Sequence, residues 1–476
     1  MPITIERVRG RLGALAAAAL TACATVQPDA RMADVRELAG ERLSQNVTWA
    51  RSTQQEQLIK SAVQRMLQQE LTVDSAVQIA LLNNRELQAT YASLGIAQAD
   101  LVEAGLLDNP VFSLIWYHGD AGSAPELSIV QDFIGVLSLS ARRKIGETGA
   151  ERVTLEVAGR IVEVAAEVQT QYYTVVGDAQ ALQLAQQIVD ATAAAAELAE
   201  RQRAAGNLSR RDQALQQAFY AQTLLDMSQA QTRLAADREK LNRMLGLWGA
   251  DTRWRVPDRL PAVPSDLPGL SDIEARAIAQ RLDLAAAKKQ AEGAAHALSL
   301  TQQFRYLGPL GIGVAYKREP VGDRFVGPAV ELGLPIFNRS QARVARAQAE
   351  LERDQQHVTA LAVDIRSQAR EARARVAAAH QVASHYRDVL LPLQQTIVEE
   401  TQKQYNGMLV GVYDLLLSKQ AQVQTARQYV AATLDFWLAW SDLEHAAGMR
   451  VALPASAGDQ TPGQSAPEHE HGADKP

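Results

Sequence analysis

The chain has 476 residues, of which 47% are hydrophobic and 21% charged, which is the composition of an ordinary folded protein and allows about two to four domains. Its formal net charge of −6 is not that of a protein that holds a nucleic-acid backbone with concentrated Lys and Arg, so we expect no nucleic acid as a partner. Aromatic residues make up only 5%, and the many Ala and Gln residues favour helices that pack closely.

The first 22 residues have the form of a bacterial export signal. Three arginines precede an Ala- and Leu-rich run at 12–20, which is too short to span a membrane. Cys23 follows and is the only cysteine of the sequence, so an intrachain disulfide is excluded. The ending Leu20-Thr21-Ala22-Cys23 resembles the lipobox of bacterial lipoproteins, which implies a covalent lipid on Cys23, and Ala24 then suits the outer membrane. The alternative is an incidental thiol.

The next part of the chain is predicted to change from irregular to helical. Residues 27–53 are polar and irregular, which indicates a tether. Apolar residues at helical spacing then predict helix over 61–82, Thr72-Val73-Asp74-Ser75 indicates a helix start within it, and helix continues at 86–106.

Two pairs of short strands are predicted, one in each half of the chain. Asp108-Asn109-Pro110 ends the preceding helix, and the runs 111–117 and 126–133, separated by a Gly-rich loop, predict a β-hairpin. The second half repeats this order with a helix at 271–303 and strands at 310–317 and 325–334. In the last strand apolar residues alternate with a period of two.

Each predicted β-hairpin is followed by two long helices that meet at a glycine tip. The first pair comprises residues 149–205 and 202–247, and the second comprises 341–404 and 402–449. A helix of about 60 residues extends roughly 90 Å, which is longer than a single globular core needs.

The two halves also match at a constant spacing. Asp212 corresponds to Asp414 and Gly246 to Gly448, in both cases 202 residues apart, which indicates a duplicated unit. The Pro-rich stretch 256–268 between the halves is typical of a linker.

Four strands cannot close a sheet within one chain. An open sheet in lipid leaves unpaired N–H and C=O groups at its edges, each costing several kcal/mol, so closure would have to come from other copies. Known membrane barrels begin at about eight strands, and two copies would supply about eight and three about twelve. Each predicted strand has about eight residues, fewer than the ~9–11 of a tilted span. The alternative is a soluble four-stranded cap.

The order of helix, strand pair, long helix, tip and long helix, repeated once, is similar to that of the TolC family of outer-membrane efflux channels over about residues 71–449. The most specific segments are Leu334-Pro335-Ile336-Phe337-Asn338, expected to open the next long helix, and Tyr405-Asn406-Gly407 with Asp414-Leu415-Leu416 at the tip. The resemblance implies a fold that is mainly α with a small β part. Duplicated helical hairpins would form a periplasmic tunnel, and four strands per chain would contribute to a trimeric twelve-stranded outer-membrane barrel.

The same resemblance implies a passive homotrimeric channel of a tripartite efflux system, and not an enzyme. The tip would dock on a periplasmic adaptor and through it on an inner-membrane pump of the RND type. No cofactor is expected beyond the lipid, and the protein is expected in the outer membrane of a Gram-negative bacterium, extending into the periplasm. Heavy-metal cations are favoured over drugs as substrates. A duct for type I protein secretion and a non-channel acylated coiled-coil tether stay open as alternatives.

These predictions divide the chain into six segments. They are a lipoprotein signal peptide at 1–22, an acylated tether and equatorial segment at 23–70, a first repeat at 71–250 with strands at 111–133 and a tip near 206, a Pro-rich equatorial linker at 251–270, a second repeat at 271–449 with strands at 310–334 and a tip near 407–411, and a disordered tail at 450–476.

Candidate gate residues lie at the second tip. In the family, acidic side chains ring the narrow end of the tunnel and attract cations. Asp414 matches that position, whereas Leu417 stands where a second acid is usual, so a leucine ring that closes by dewetting replaces the second acidic tier. The alternative is that Asp414 only stabilises a helix N-terminus.

Other candidates are glycines and histidines. Gly206, Gly407 and Gly411 are candidate adaptor-docking positions, although the backbone conformations that end helices are sufficient to explain them. His469 and His471, flanked by glutamates, are weak candidates for binding a metal cation. No other metal site is expected, because the remaining histidines show no mutual ligand spacing.

Overall fold

The computed structural model describes residues 26–120, 122–320 and 322–453. Over these ranges the chain is mainly helical with one four-stranded antiparallel sheet, which confirms the predicted fold class. The predicted signal peptide, Cys23, and the histidines His469 and His471 lie outside the described residues.

Short helices precede each pair of strands, and long helices follow it. In chain order the elements are α1 Met32–Leu43, α2 Thr53–Leu67, α3 Val73–Asn83, α4 Arg85–Ala104, β1 Val111–Gly119, β2 Gly122–Asp132, α5 Phe133–Ala204, α6 Arg210–Leu245, a 3₁₀ turn Gly249–Thr252, α7 Ile273–Gln280, α8 Leu282–Gln303, β3 Leu310–Arg318, β4 Arg324–Leu332, α9 Gln341–His385, a π turn Tyr386–Leu390, α10 Leu391–Asn406 and α11 Val412–Ala447.

The longest helix, α5, has 72 residues and extends roughly 110 Å. The helix begins directly after β2, so it includes the basic segment after Gly135 as well as the run predicted from about residue 149. The Asp132 carboxylate accepts hydrogen bonds from the backbone N–H groups of Ile134 and Gly135. Asp132 is thus the N-cap of α5, and the helix follows the strand without a loop. None of the described helices has a stretch long and apolar enough to cross a bilayer.

Helices α9 and α10 form one helical run that is interrupted only by the π turn. Pro392, in the first turn of α10, has no N–H to donate, and the helix widens just before it. The run begins at Gln341, as predicted, and residues 335–338 form the segment that leads into it.

The predicted irregular tether at 27–53 was wrong in part. Helix α1 lies within it and buries Met32, Val35, Ala39 and Leu43 against the long helices. Six of its twelve residues are apolar, two of them Ala, and charged residues separate them, so the helical pattern was too weak to be recognised.

The predicted helices 61–82 and 271–303 are each divided in two. The first is broken between α2 and α3, where Thr72 and Ser75 form a capping box. The second bends at Arg281, whose φ of −65° and ψ of 118° repeat those of Asn84 between α3 and α4, φ −65° and ψ 117°. The two halves therefore share a helix–bend–helix unit.

Each bend packs against the glycine that follows the second long helix of the same repeat. Gly246 and Gly448 both have positive φ, 67° and 71°. A Cβ on Gly246 would lie 2.5 Å from the carbonyl oxygen of Asn83, and a Cβ on Gly448 would lie 3.3 Å from the Cα of Arg281. The spacing of 202 residues thus corresponds to a repeat in three dimensions.

The main core lies about halfway along α5 and the α9–α10 run and at the C-terminal ends of α6 and α11, where the short helices pack around them. Its largest fully buried side chains include Trp440, Tyr91, Phe436 and Ile161. The Pro-rich segment 251–270 packs against this core and is not a free linker. The Trp437 indole N–H donates to the carbonyl oxygen of Pro261 at 2.9 Å.

The chain remains packed for a few residues after α11. Val451 is buried, and its N–H donates to the Glu444 carboxylate at 2.9 Å. Burial raises the pKa of Glu444, although the hydrogen bonds from Val451 and Gln169 oppose this. The predicted disordered tail from 450 was therefore wrong for residues 450–453.

Candidate functional site

The four strands form one sheet in the order β1-β2-β3-β4, so the two β-hairpins are joined through β2 and β3. The strands have 9, 11, 9 and 9 residues. The estimate of about eight residues was too short, and the observed lengths agree with the ~9–11 residues of a tilted membrane strand. Strands β1 and β4 have no neighbour on their outer edges among the described residues.

One face of the sheet is apolar across all four strands. Because side chains alternate along a strand, the register decides which residues share a face. Two complete rows on this face are Phe112–Ile129–Val314–Pro328 and Leu114–Leu127–Tyr316–Val326. Most of these side chains are exposed, so the face is an apolar surface of a kind that soluble monomers rarely present.

The opposite face is mixed. One row is Ser113–Ser128–Ala315–Gly327, and in the next Glu126 lies directly opposite Lys317 with the apolar Ile115 and Phe325 on either side. The sheet is thus two-sided, with one face that is apolar along complete rows and another on which small, polar and apolar side chains are mixed.

The first helical tip, between α5 and α6, is closed by Gly206. Its φ is +78°, and the N–H groups of Gly206 and Asn207 donate to the carbonyl oxygens of Arg203 and Gln202, a Schellman motif. Ser209 then caps α6 by accepting the N–H of Asp212.

The second tip, between α10 and α11, is closed by the same motif, but the left-handed residue is Met408, with φ +58°. The N–H groups of Met408 and Leu409 donate to Tyr405 and Gln404 at 2.9 Å. Gly407 has φ −81°, so the explanation by a helix-ending left-handed conformation was wrong for it, and Gly411, also at φ −81°, is the N-cap of α11. The repeat spacing pairs Met408 with Gly206, and Met408 is 94% exposed.

Asp414 and Leu417 lie on the first turns of α11 next to this tip. The Asp414 carboxylate accepts the N–H of Gly411 at 3.0 Å, the contact that the helix-start alternative requires. Both side chains are exposed, Leu417 by 62%, and so remain available to face other copies of the chain. The gate assignment stays a prediction.

A link between the two helical hairpins was missed in the sequence. Arg427 on α11 donates to Asp226 on α6 at 2.8 Å, and this hydrogen bond lowers the pKa of Asp226. Nearer the tips, burial and the Asp212 carboxylate raise the pKa of Tyr413. No signal in the sequence indicated this pair, since Asp226 and Arg427 are 201 residues apart and no pattern links them.

A buried carboxyl group on α5 was also missed. Asp178 is 6% exposed, and its Oδ2 has no hydrogen-bond partner among the described residues. Burial, together with the neighbouring Asp237 carboxylate on α6, raises the pKa of Asp178 to about 6. Across residues 26–453, apart from 121 and 321, the structure holds no group of three or more His, Cys, Asp or Glu side chains that could bind a metal ion.

Comparison with known proteins agrees with this architecture. No protein-family model matches the chain. The chain is 24% identical over 351 residues to the cobalt-zinc-cadmium resistance protein CzcC of Cupriavidus metallidurans, covering 72% of this chain and 79% of CzcC.

Two solved structures show the same fold. CusC, studied for its folding and transmembrane channel formation, superposes with a TM-score of 0.65 at 17% identity, over 80% of this chain and 92% of CusC. The outer membrane protein VceC of Vibrio cholerae superposes with a TM-score of 0.66 at 15% identity, over 79% of this chain and 96% of VceC. The chain is therefore similar in sequence to CzcC and has the fold of the TolC-family outer-membrane channels, which confirms the resemblance carried by its motifs.

Proposed function

We propose that this protein is the outer-membrane channel subunit of a tripartite efflux system. Three copies would join their sheets into a twelve-stranded barrel and their long helices into a periplasmic tunnel. The proteins similar to it are a metal-resistance protein and outer-membrane channels, not enzymes, and the proposal requires no catalytic step and no cofactor.

The observation that carries the proposal is the two-sided sheet with two free edges. The row Leu114–Leu127–Tyr316–Val326 and its neighbour give an apolar surface without a polar interruption. In lipid the outer edges of β1 and β4 need partners, and further copies of the same chain supply them without a new element. A soluble cap would leave this apolar face in water.

The lengths of the helices are further evidence for the proposed tunnel. Helix α5 alone extends roughly 110 Å, and the helical run from 341 to 406 roughly 100 Å, both ending at a tip far from the sheet. The exposed apolar side chains of Met408 and Leu409 at the second tip suit docking of an adaptor protein. We propose Gly206, Gly407 and Gly411 as positions at this contact, with an RND-type pump as the third component.

The lipid anchor is proposed from the sequence alone. Acylation of Cys23 would hold the chain at the outer membrane while the sheet inserts. Replacing Cys23 by Ser should abolish acylation, which mass spectrometry of the mature N-terminal peptide measures. Wild-type protein without a lipid would contradict this part of the proposal.

Heavy-metal cations are the proposed substrates, because the similar protein CzcC is named for cobalt, zinc and cadmium resistance. Tolerance of a deletion strain to these cations, compared with its drug tolerance and secreted proteins, tests this choice. Unchanged metal and drug tolerance with a secretion defect would instead favour a duct for type I protein secretion.

The test of the channel itself is conduction. Purified, lipidated protein should form a trimer that conducts ions in planar bilayers. A non-channel periplasmic tether would yield an elongated helical assembly that neither resists heat as a barrel nor conducts.

A further inference from the structure

The apolar face of the sheet ends in a pair of arginines. Arg318 and Arg324 are Cα partners at the end of the β3–β4 hairpin, and by alternation they lie on the same face as Tyr316 and Val326. Both are exposed. They close the apolar face at the end of the sheet that is farther from the helices.

Arg318 and Arg324 have no ion-pair partner among the described residues. Like charges directly opposite each other on neighbouring strands destabilise a sheet. Glu319 and Asp323 follow and precede the two arginines in the same turn, where the Glu319 N–H donates to the Asp323 carbonyl oxygen. Two facing cations with no ion pair in the described part of the turn favour an anion from outside the chain.

Lys317, the residue before Arg318, has a different cross-strand partner. It lies on the opposite face, and its Cα partner on β2 is the acidic Glu126. Arg318 and Arg324 are instead Cα partners of each other.

The position of the pair identifies the kind of anion. This step rests on the proposed function, in which the apolar face contacts lipid and the β-hairpin turns lie outside the cell. Trp116, Tyr316 and His118 occupy the same end of that face, with the Trp116 and His118 rings 6.4 Å apart, as in the aromatic belts of membrane proteins. The arginines would then lie at the level of the outer-leaflet headgroups.

We propose that Arg318 and Arg324 bind the phosphate groups of the anionic glycolipid of the outer leaflet. The guanidinium presents a planar fork that binds phosphate oxygens in a bidentate manner, and it is less strongly hydrated than an ammonium group. Two forks on facing strands can hold one phosphate or two neighbouring ones. The bound phosphate would also relieve the repulsion between the two strands.

The test compares lipid binding by the full-length, lipidated protein and two variants. Native mass spectrometry measures binding of bis-phosphorylated lipid A and of its dephosphorylated form in detergent. The wild type should prefer the phosphorylated form, and Arg318→Gln with Arg324→Gln should weaken that binding roughly 30-fold, at about fivefold per cation. Lys317→Gln, one residue away on the other face, should change it less than about twofold.

Equal binding of the two lipid forms by the wild type, or an equal loss in Lys317→Gln, would overturn the site. Conduction in planar bilayers is measured on the same preparations. A conducting trimer without a preference for the phosphorylated lipid rejects only the phosphate site. Protein that neither trimerises nor conducts rejects the proposed function and the site with it.

Discussion

Gly313 on β3 lies in close contact with the backbone of β2. Its replacement by Ala therefore tests whether the two β-hairpins pair through β2 and β3. A Cβ there would lie 1.9 Å from the carbonyl oxygen of Ile129 and 2.8 Å from the Cα of Val130. Both are backbone atoms of β2, so no side-chain rotation can relieve the overlap. Since non-bonded atoms prefer roughly 3.5 Å, the two strands must separate by more than ~1 Å.

Such a separation breaks the hydrogen bonds around the contact, because an N–H···O bond tolerates only about 2.7–3.2 Å between N and O. Losing two or three of them costs about 2–4 kcal/mol at about 1 kcal/mol each, with some strain added. Gly327→Ala is the matched control, because it lies on the same face and its Cβ would meet nothing within 4 Å. Its effect should stay within about 0.5 kcal/mol.

Hydrogen exchange of peptides covering β2 and β3 measures the local opening directly. Gly313→Ala should accelerate exchange about 30-fold or more, whereas Gly327→Ala should leave it unchanged. Equal protection in the two variants would contradict the β2–β3 register, and with it the continuous four-stranded sheet.

Three further predictions concern charged groups of the helices. Asp178→Asn should raise the unfolding free energy at pH 7 by up to roughly 3 kcal/mol, because the folded-state pKa is about 6 against an ordinary 3.8. The gain should disappear below about pH 4, where wild-type Asp178 is protonated in both states, and a gain independent of pH in urea titrations would refute this cause. Asp226→Asn and Arg427→Gln should each lower the free energy of unfolding by about 1–3 kcal/mol. The double variant should lose no more than either single variant, because both substitutions remove the same hydrogen bond. Additive losses in a double-mutant cycle would contradict the link. This stabilisation should be present above the ordinary pKa of Asp226 and be lost as pH falls through its lowered folded-state pKa. Asp414→Ala should reduce the cation selectivity of single channels at low salt, as measured by reversal potentials, and unchanged selectivity would restrict Asp414 to capping Gly411.

Local patterns predicted the elements that depend on local physics. The alternation in β4 and the proline and glycine breaks predicted all four strands, because these signals act over a few residues. The spacing of 202 residues also predicted the paired helix ends at Gly246 and Gly448. At the second tip Gly407 was misleading, because the left-handed conformation that Gly206 adopts at the first tip is adopted there by Met408.

Features that depend on packing between distant segments were not predictable. Helix α1 and the segment 251–270 are ordered by burial against helices far along the chain, and their own sequences are polar or rich in proline. The Asp226–Arg427 pair likewise requires the relative rotation of α6 and α11, which no local pattern encodes. Asp178 becomes a perturbed carboxyl group only when α6 covers it.

The central claim is that identical chains complete the sheet across the edges of β1 and β4. The most direct measurement is the mass of the lipidated assembly released from native membranes, determined together with its ion conduction. We predict a mass of three chains and a conducting pore. A single chain whose apolar strands are accessible to water-soluble labels would contradict the account.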